Sequence, residues 1–247
     1  MSSLIRIATV NIFETATSLT DNGDAIAGYP LDRIRDRDCT KLYQNYVTNC
    51  GITASGGISA MAADALIIGA GHSLAGQSWS HNSGLNGTDW TARASGVGPA
   101  GTGVICAEFA SVAAAYWYFY VAGIMTHQLS ELFLTSIYTF PYHADRASSE
   151  PGLRLNVKSE ETSAGSERWI EYGAARRTWR YEFPAVPATM ADTVAAMINA
   201  LGGVKPFYLC DHTGTWIWGN ATDPVVAREI TSLTGEKSFT LNFREAI

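Results

Sequence analysis

Short apolar runs alternate with polar, glycine-rich connections along the first part of the chain. LIRIATVNIF puts Ile5, Ile7 and Thr9 on one side and Leu4, Arg6 and Ala8 on the other, the period-two signature of a strand. CGITASGG reads as a short strand, and ADALIIGAGH carries Ala65 to Ile68 as a buried strand ended by glycines. GTGVICAEF, AYWYFYVAG and HQLSELFLTSIY follow. In the aromatic run, Tyr116, Tyr118 and Tyr120 point one way and Trp117 and Phe119 the other; one set belongs in the core, the other under a loop or against a partner. GYPLDRIRDRDCTKLY reads as a turn followed by a charged loop, and GQSWSHNSGLNGTDW as a polar loop. A series of about seven short strands with irregular loops predicts an antiparallel sandwich.

YHADRASSEPG (residues 142–152) is polar, contains Pro151 and separates two textures. A boundary there predicts a sandwich over 1–145 and a smaller unit over 151–247. LRLNVK and SERWIEY read as strands. In RRTWRYEF, Trp179, Tyr181 and Phe183 alternate with Arg180 and Glu182, a half-exposed strand. MADTVAAMINAL is the clearest helix, expected over about 189–201, with Thr189 as N-cap, Asp192 at capping-box spacing, and Met190, Val194, Met197, Ile198 and Leu201 on one face. Gly202 and Gly203 end it, and Pro206 prevents continuation. PFYLCD, TWIWGN, PVVAREIT and KSFTLNFREA complete the strands. The expected class is mainly β: an N-terminal β-sandwich followed by a smaller β-rich α+β domain with one helix.

At 247 residues, with 47% hydrophobic and 16% charged residues, the composition is that of a folded soluble protein with a low charge density. The net charge of -6 and the lack of any basic run argue against a nucleic-acid-binding face. Residues 104–125 form the one apolar window of membrane length, but Glu108 and the tyrosines make it two strands rather than a span. MSSLIRIATVNIFET lacks the long apolar core of a signal peptide. Cys39, Cys50, Cys106 and Cys210 show no zinc spacing and read as free thiols, although Cys39 and Cys50 are near enough in sequence to pair.

No cofactor, metal ligand set or catalytic residue emerges from the motifs. GHSLA, with Ser73, has the outline of a nucleophile elbow, but no helix pattern follows it, and Asp211 and His212 are adjacent rather than spaced as triad partners. GVGPAG fits the dinucleotide fingerprint, yet TDWTARAS before it is polar, and no acid stands about 20 residues on. Asp32, Asp36 and Asp38, and Asp21 with Asp24, form oxygen-rich loops of a kind that binds Ca²⁺; ion pairs with Arg33, Arg35 and Arg37 are the simpler reading. His72, His81, His127, His143 and His212 are scattered. Asn86-Gly-Thr88 and Asn220-Ala-Thr222 match the glycosylation sequon. Trp79 and Trp90, in the polar loop, are candidate glycan-stacking residues, because an aromatic face fits the apolar face of a pyranose.

The order ATVNIFETATSL, GYPLDRIRDRDCTKLY, ITASGG, ADALIIGAGHSLAGQSW, AYWYFYVAG, HQLSELFLT resembles the discoidin-type, galactose-binding-like jelly roll of bacteriophage tail proteins, with Ser73 where Asn is frequent. RRTWRYEFPAVPATMADTVAAMINALGGVKPFYLCD and the terminal LNFRE resemble the C-terminal part of the same proteins. The resemblance implies a structural virion protein of a tail tip, baseplate or fibre adaptor, made in the host cytoplasm. It would act in assembly and host attachment, form a homo-oligomeric ring and contact other tail proteins, without nucleic acid or membrane insertion. The alternative is a carbohydrate-binding module for a host surface glycan, using Trp79 and Trp90. A serine esterase built on Ser73 is third.

Overall fold

The computed structural model describes residues 4–23, 26–57, 60–123, 126–145, 152–154, 157–161, 167–171, 175–230 and 235–246. The chain divides into two compact units: Arg6–Thr139, and Phe140–Ile247 joined by the N-terminal residues through Ile5.

In the first unit the strands are β1 (Arg6–Ala8), β2 (Ser18–Asp21), β3 (Tyr43–Tyr46), β4 (Asn49–Ser55), β5 (Met61–Ile68), β6 (Ser78–Gly84), β7 (Thr91–Val97), β8 (Ile105–Ala114), β9 (Tyr116–Ala122), β10 (Thr126–Leu129), β11 (Leu132–Thr135) and β12 (Tyr138–Thr139). A five-stranded sheet in the order β2-β4-β9-β6-β7 faces a three-stranded sheet, β11-β5-β8, across a common core. β3 pairs with β10, and β1 with β12. The core takes Cys50, Ile52 and Ala54 from β4, Trp117, Phe119 and Val121 from β9, and Leu66, Ile68, Leu132 and Leu134 from the facing sheet. Each set is every second residue of its strand, so the period-two pattern is the cause of the packing. Within residues 104–125, Ile105–Ala114 and Tyr116–Ala122 are strands, β8 and β9. Among the described residues no helix is long and apolar enough to cross a membrane.

The structure corrects the sequence reading at three places here. LIRIATVNIF is not one strand. It stops at Ala8, and α1 (Ile12–Thr15) begins where the Asn11 side chain accepts a hydrogen bond from Phe13 N–H. GQSWSHNSGLNGTDW is not a loop, because β6 runs through it, and TARASGV forms the edge strand β7. The charged segment after Pro30 contains a 3-10 turn over Leu31–Ile34.

The second unit holds β13 (Gly152–Arg154), β14 (Val157–Glu161), β15 (Glu167–Glu171), β16 (Arg176–Pro187), α2 (Ala188–Asn199), β17 (Phe207–Cys210), β18 (Trp216–Ala221), β19 (Arg228–Glu229) and β20 (Glu236–Glu245). Within it the sheet order is β17-β18-β20-β16-β13, with β19 also on β20, while β14 pairs with β15. The alternation in β16 meets that in β20: Trp179, Tyr181 and Phe183 lie opposite Phe243, Leu241 and Phe239. Phe183 stacks on Phe239 at 4.6 Å, and α2 covers this face with Met190, Val194 and Ile198. Thr189 is not the N-cap. The helix starts one residue earlier behind Pro187, so Thr189 falls in its first turn and accepts from Thr193 Oγ1 through its carbonyl. Asp192 pairs with Lys237 instead of closing a capping box. Met197 is only half-buried. Gly202 and Gly203 end the helix with φ of 63° and 71°, a conformation that disfavours any side chain. With α1, the described residues contain two α-helices rather than the one expected.

Candidate functional site

The five-stranded sheet has two unlike faces. The inward positions of β4 and β9 are the apolar ones named above. Its outward positions follow from register. Across the sheet, Thr20 lies beside Thr53, Thr53 beside Tyr118, Tyr118 beside Asn82, and Asn82 beside Ala92. The next row runs from Gly51 through Tyr120 and Ser80 to Ser95. A third holds Ser18, Ser55, Tyr116 and Gly84. Tyr116, Tyr118 and Tyr120 therefore form a stripe of half-buried rings down the central strand, flanked by hydroxyls and an amide.

Two glycines shape this stripe. A Cβ on Gly51 would collide with the Tyr118 hydroxyl, so the missing side chain lets that ring lean over β4. Gly84 makes room for the connection between β6 and β7: a Cβ there would lie 2.5 Å from the Asp89 carbonyl and 3.4 Å from Trp90 Cε3. Asn86 fixes that connection, its side-chain oxygen accepting from Thr88 N–H, Thr88 Oγ1 and Asp89 N–H, an Asx turn. Trp90 is thereby held against Tyr118, ring centroids 5.0 Å apart and planes 29° apart. Tyr118 and Tyr120 follow at 6.1 Å. Aromatic pairs at such spacings add ~0.5–1.5 kcal/mol beyond the area they bury, enough to order the rings before any ligand arrives.

Of the two tryptophans singled out from the sequence, only Trp90 belongs to this surface. Trp79 sits on the inward face of β6, 6% exposed, 6.4 Å from Phe119 and packed over Gly96. It offers no ring face to a ligand. Tyr118 and Tyr120 were visible as one face of the aromatic run. Their side of the sheet became identifiable as the outer one only once Trp117 and Phe119 were seen to be wholly buried.

The other candidate groups are engaged elsewhere. Ser73 Oγ accepts from Gln128 N–H at 2.8 Å, and the neighbouring His72 ring contacts Gly103 O and Leu74 N–H, so the two do not form a nucleophile–base pair with each other. The next element after Ser73 is the strand β6, not a helix. Asp211 closes its own turn, accepting from Thr213 N–H and Thr215 N–H. GVGPAG connects two strands, β7 and β8, rather than opening a helix. Asp32 pairs with Arg35, and Asp36 and Asp38 with Lys41; Thr40 and Lys41 hold the Asp38 carboxyl below the usual range. Arg37 pairs with Glu14. Asp24 lies outside the described residues. Among the described residues no group of three or more His, Cys, Asp or Glu is placed to hold a metal. None of the four cysteines is in a disulfide, and burial pushes the Cys50 thiol up to about 11. In the second unit, cavities of about 490 and 340 Å³ share Arg180 and Asn242, and Arg180 is paired there with Glu182.

No protein-family model and no curated protein sequence matches the chain. Solved structures do. One, from Clostridium perfringens ZmpB, holds two CBM32 domains with a catalytic domain; it is 14% identical over 53% of this chain, with a TM-score of 0.45, and the match spans 14% of that chain. A second, CpGH89CBM32-5 of Clostridium perfringens, solved with GalNAc-β-1,3-galactose, is 11% identical over 51% of this chain and 100% of that one, TM-score 0.45. A third, chitosan-binding module 1 of a chitosanase/glucanase from Paenibacillus sp. IK-5, is 17% identical over 51% of this chain and 99% of that one, TM-score 0.44. The likeness is one of fold, over about half of the chain.

Proposed function

We propose that the first unit is a carbohydrate-recognition module whose binding surface is the outer face of the five-stranded sheet. Trp90, Tyr118 and Tyr120 supply the stacking rings, and Thr53, Ser80 and Asn82 supply hydrogen bonds. The observation that carries this reading is the Trp90–Tyr118 stack at 5.0 Å, ordered by a glycine and an Asx turn on an otherwise polar face. A sugar ring has apolar C–H faces and a rim of hydroxyls, so it needs flat aromatics with adjacent small polar groups. A core has no use for the second, and a plain solvated face has no use for the first.

Glycan-array binding by the intact chain tests the proposal, with Trp90→Ala and Tyr120→Ala compared at equal thermal stability. Each substitution is expected to weaken binding about tenfold, the equivalent of one lost stacking contact. Undiminished binding in both variants would remove the assignment.

The place of such a module on a bacteriophage tail, in a ring of copies contacting other tail proteins, rests on the sequence resemblance alone. In that setting the glycan is a host-surface receptor and recognition is attachment. Native mass spectrometry for a cyclic oligomer, and particle reconstruction for its position, test that part separately.

A further inference from the structure

We infer that the ligand of the Trp90–Tyr118–Tyr120 surface is an uncharged polysaccharide gripped along internal units of its chain, rather than a charged or terminal sugar. This rests on the reading of that face as a carbohydrate surface.

The first argument is charge. The outward positions that register sets on β2, β4, β9, β6 and β7, from Asn49, Ala122, Ser78 and Val97 at one end to Ser18 and Gly84 at the other, are small, polar, aliphatic or aromatic. None carries a charge at neutral pH. Recognition of a carboxylate, sulfate or phosphate relies on Arg or Lys, because desolvating an anion without a counter-charge is costly. The guanidinium nearest in sequence belongs to Arg93, on β7. The register shift opposite His81 and Asn82 leaves Arg93 without a cross-strand partner there, and its Nε–H bonds to Ser83 Oγ at 2.7 Å. Ser83 is an inward, buried position, so Arg93 is turned away from the tyrosine face. At the rim beside Trp90, Asp89 is held by Asn86 Nδ2 at 2.8 Å, which adds a negative charge, and the chain as a whole carries -6. All of these disfavour an anionic sugar.

The second argument is length. Successive rings are 5.0 Å and 6.1 Å apart, and Tyr118 and Tyr120 are two residues apart on the same strand. The aromatic stripe therefore extends along the sheet surface beyond a single ring. A chain that stacks on two or more of them gains with each unit; a single terminal sugar does not.

The test uses the intact chain and two sets of oligosaccharides, from mono- to hexasaccharide. One set is neutral (gluco-, galacto-, manno- and xylo-oligosaccharides) and the other is uronate-containing (pectic and alginate fragments). Calorimetric titration is run at low and high salt, with and without chelator. The expected result is affinity for a neutral set that rises about tenfold from monosaccharide to tetrasaccharide as further rings are engaged. Salt and chelator leave it unchanged, and Tyr120→Ala flattens the dependence on length. Affinity saturated by a monosaccharide, or confined to the uronate set and lost in high salt while still requiring Trp90, overturns the inference but leaves the carbohydrate surface standing. Binding of neither set, nor of any glycan on an array, overturns both.

Discussion

His81 lies parallel to Trp117 inside the sandwich, ring centroids 5.3 Å apart and planes within 3°, with Phe109 on a second side at 5.8 Å. Burial in this aromatic setting pushes the imidazole down from 6.5 to about 3. The folded protein therefore refuses a proton that the unfolded chain accepts. The stability this contributes is complete above pH 6.5 and is lost as pH falls toward 3. The slope is about 1.4 kcal/mol per pH unit, or about 2 kcal/mol between pH 7 and pH 5. Urea denaturation at the two pH values measures it. His81→Phe, which keeps a ring against Trp117, is expected to remove that component; an unchanged slope would show that His81 is not its source.

The Asn11 side chain is buried in the sandwich and hydrogen-bonded at both ends. Its oxygen accepts from Phe13 N–H at 3.1 Å and Leu134 N–H at 3.2 Å, and its Nδ2 donates to Leu132 O at 2.9 Å and Glu131 Oε1 at 3.0 Å. It thus ties the start of α1 to β11 and to a buried carboxyl that burial holds well above its usual range. Asn11→Ala strands buried donors and acceptors, and a loss of about 2–4 kcal/mol is expected by chemical denaturation. Asn11→Asp, whose ionised carboxyl cannot donate to Glu131 Oε1 or Leu132 O, is expected to be as damaging at neutral pH and partly rescued in mild acid, where the new carboxyl regains a proton to donate.

Gly84 stands under the connection that presents Trp90. Gly84→Ala places a methyl 2.5 Å from the Asp89 carbonyl and 2.9 Å from the Asn86 carbonyl, so the connection must lift. A modest stability loss of about 1–2 kcal/mol is expected from such overpacking. The displaced indole changes its contact with Tyr118, which tryptophan fluorescence reads, and glycan affinity falls with it. Full retention of both would show that the Asx turn holds Trp90 without help from the glycine.

The cysteines differ in access. Cys50 is buried beside the Tyr43 hydroxyl, at 3.9 Å, with its thiol raised to about 11, and Cys210 is also buried, whereas Cys39 and Cys106 are partly exposed. Iodoacetamide at mildly alkaline pH is expected to modify Cys39 and Cys106 in the native protein. Cys50 and Cys210 should react only on unfolding, because the thiolate is the nucleophile. Peptide mass spectrometry reads the order, and early modification of Cys50 would contradict its placement in the core.

Period and punctuation in the sequence determined a good part of this protein. Trp179, Tyr181 and Phe183, like Phe239, Leu241 and Phe243, announce half-buried strands because side chains alternate across a pleat. Gly202 and Gly203 announce the end of α2 because each takes a φ that other residues avoid. The aromatic run from Tyr116 to Tyr120 announces a strand with two occupied faces. β6 and β7 were illegible for the opposite reason. Their inward positions include His81, Ser83 and Ala94, so burial there leaves no apolar signature. α1 was hidden because Asn11 caps a helix of only four residues inside a run that otherwise alternates.

The tertiary structure alone decided which face of the central sheet meets solvent, and hence that Trp79 is core and Trp90 is surface. A period of two says that a strand has two sides. It does not say which side a partner sheet will cover, because that depends on pairing between residues far apart in the chain. Asn82 and Tyr118, or Thr53 and Tyr118, become neighbours only through such pairing. The aromatic surface proposed to bind sugar is a property of that register, assembled from three strands and one connection, none of which carries it alone.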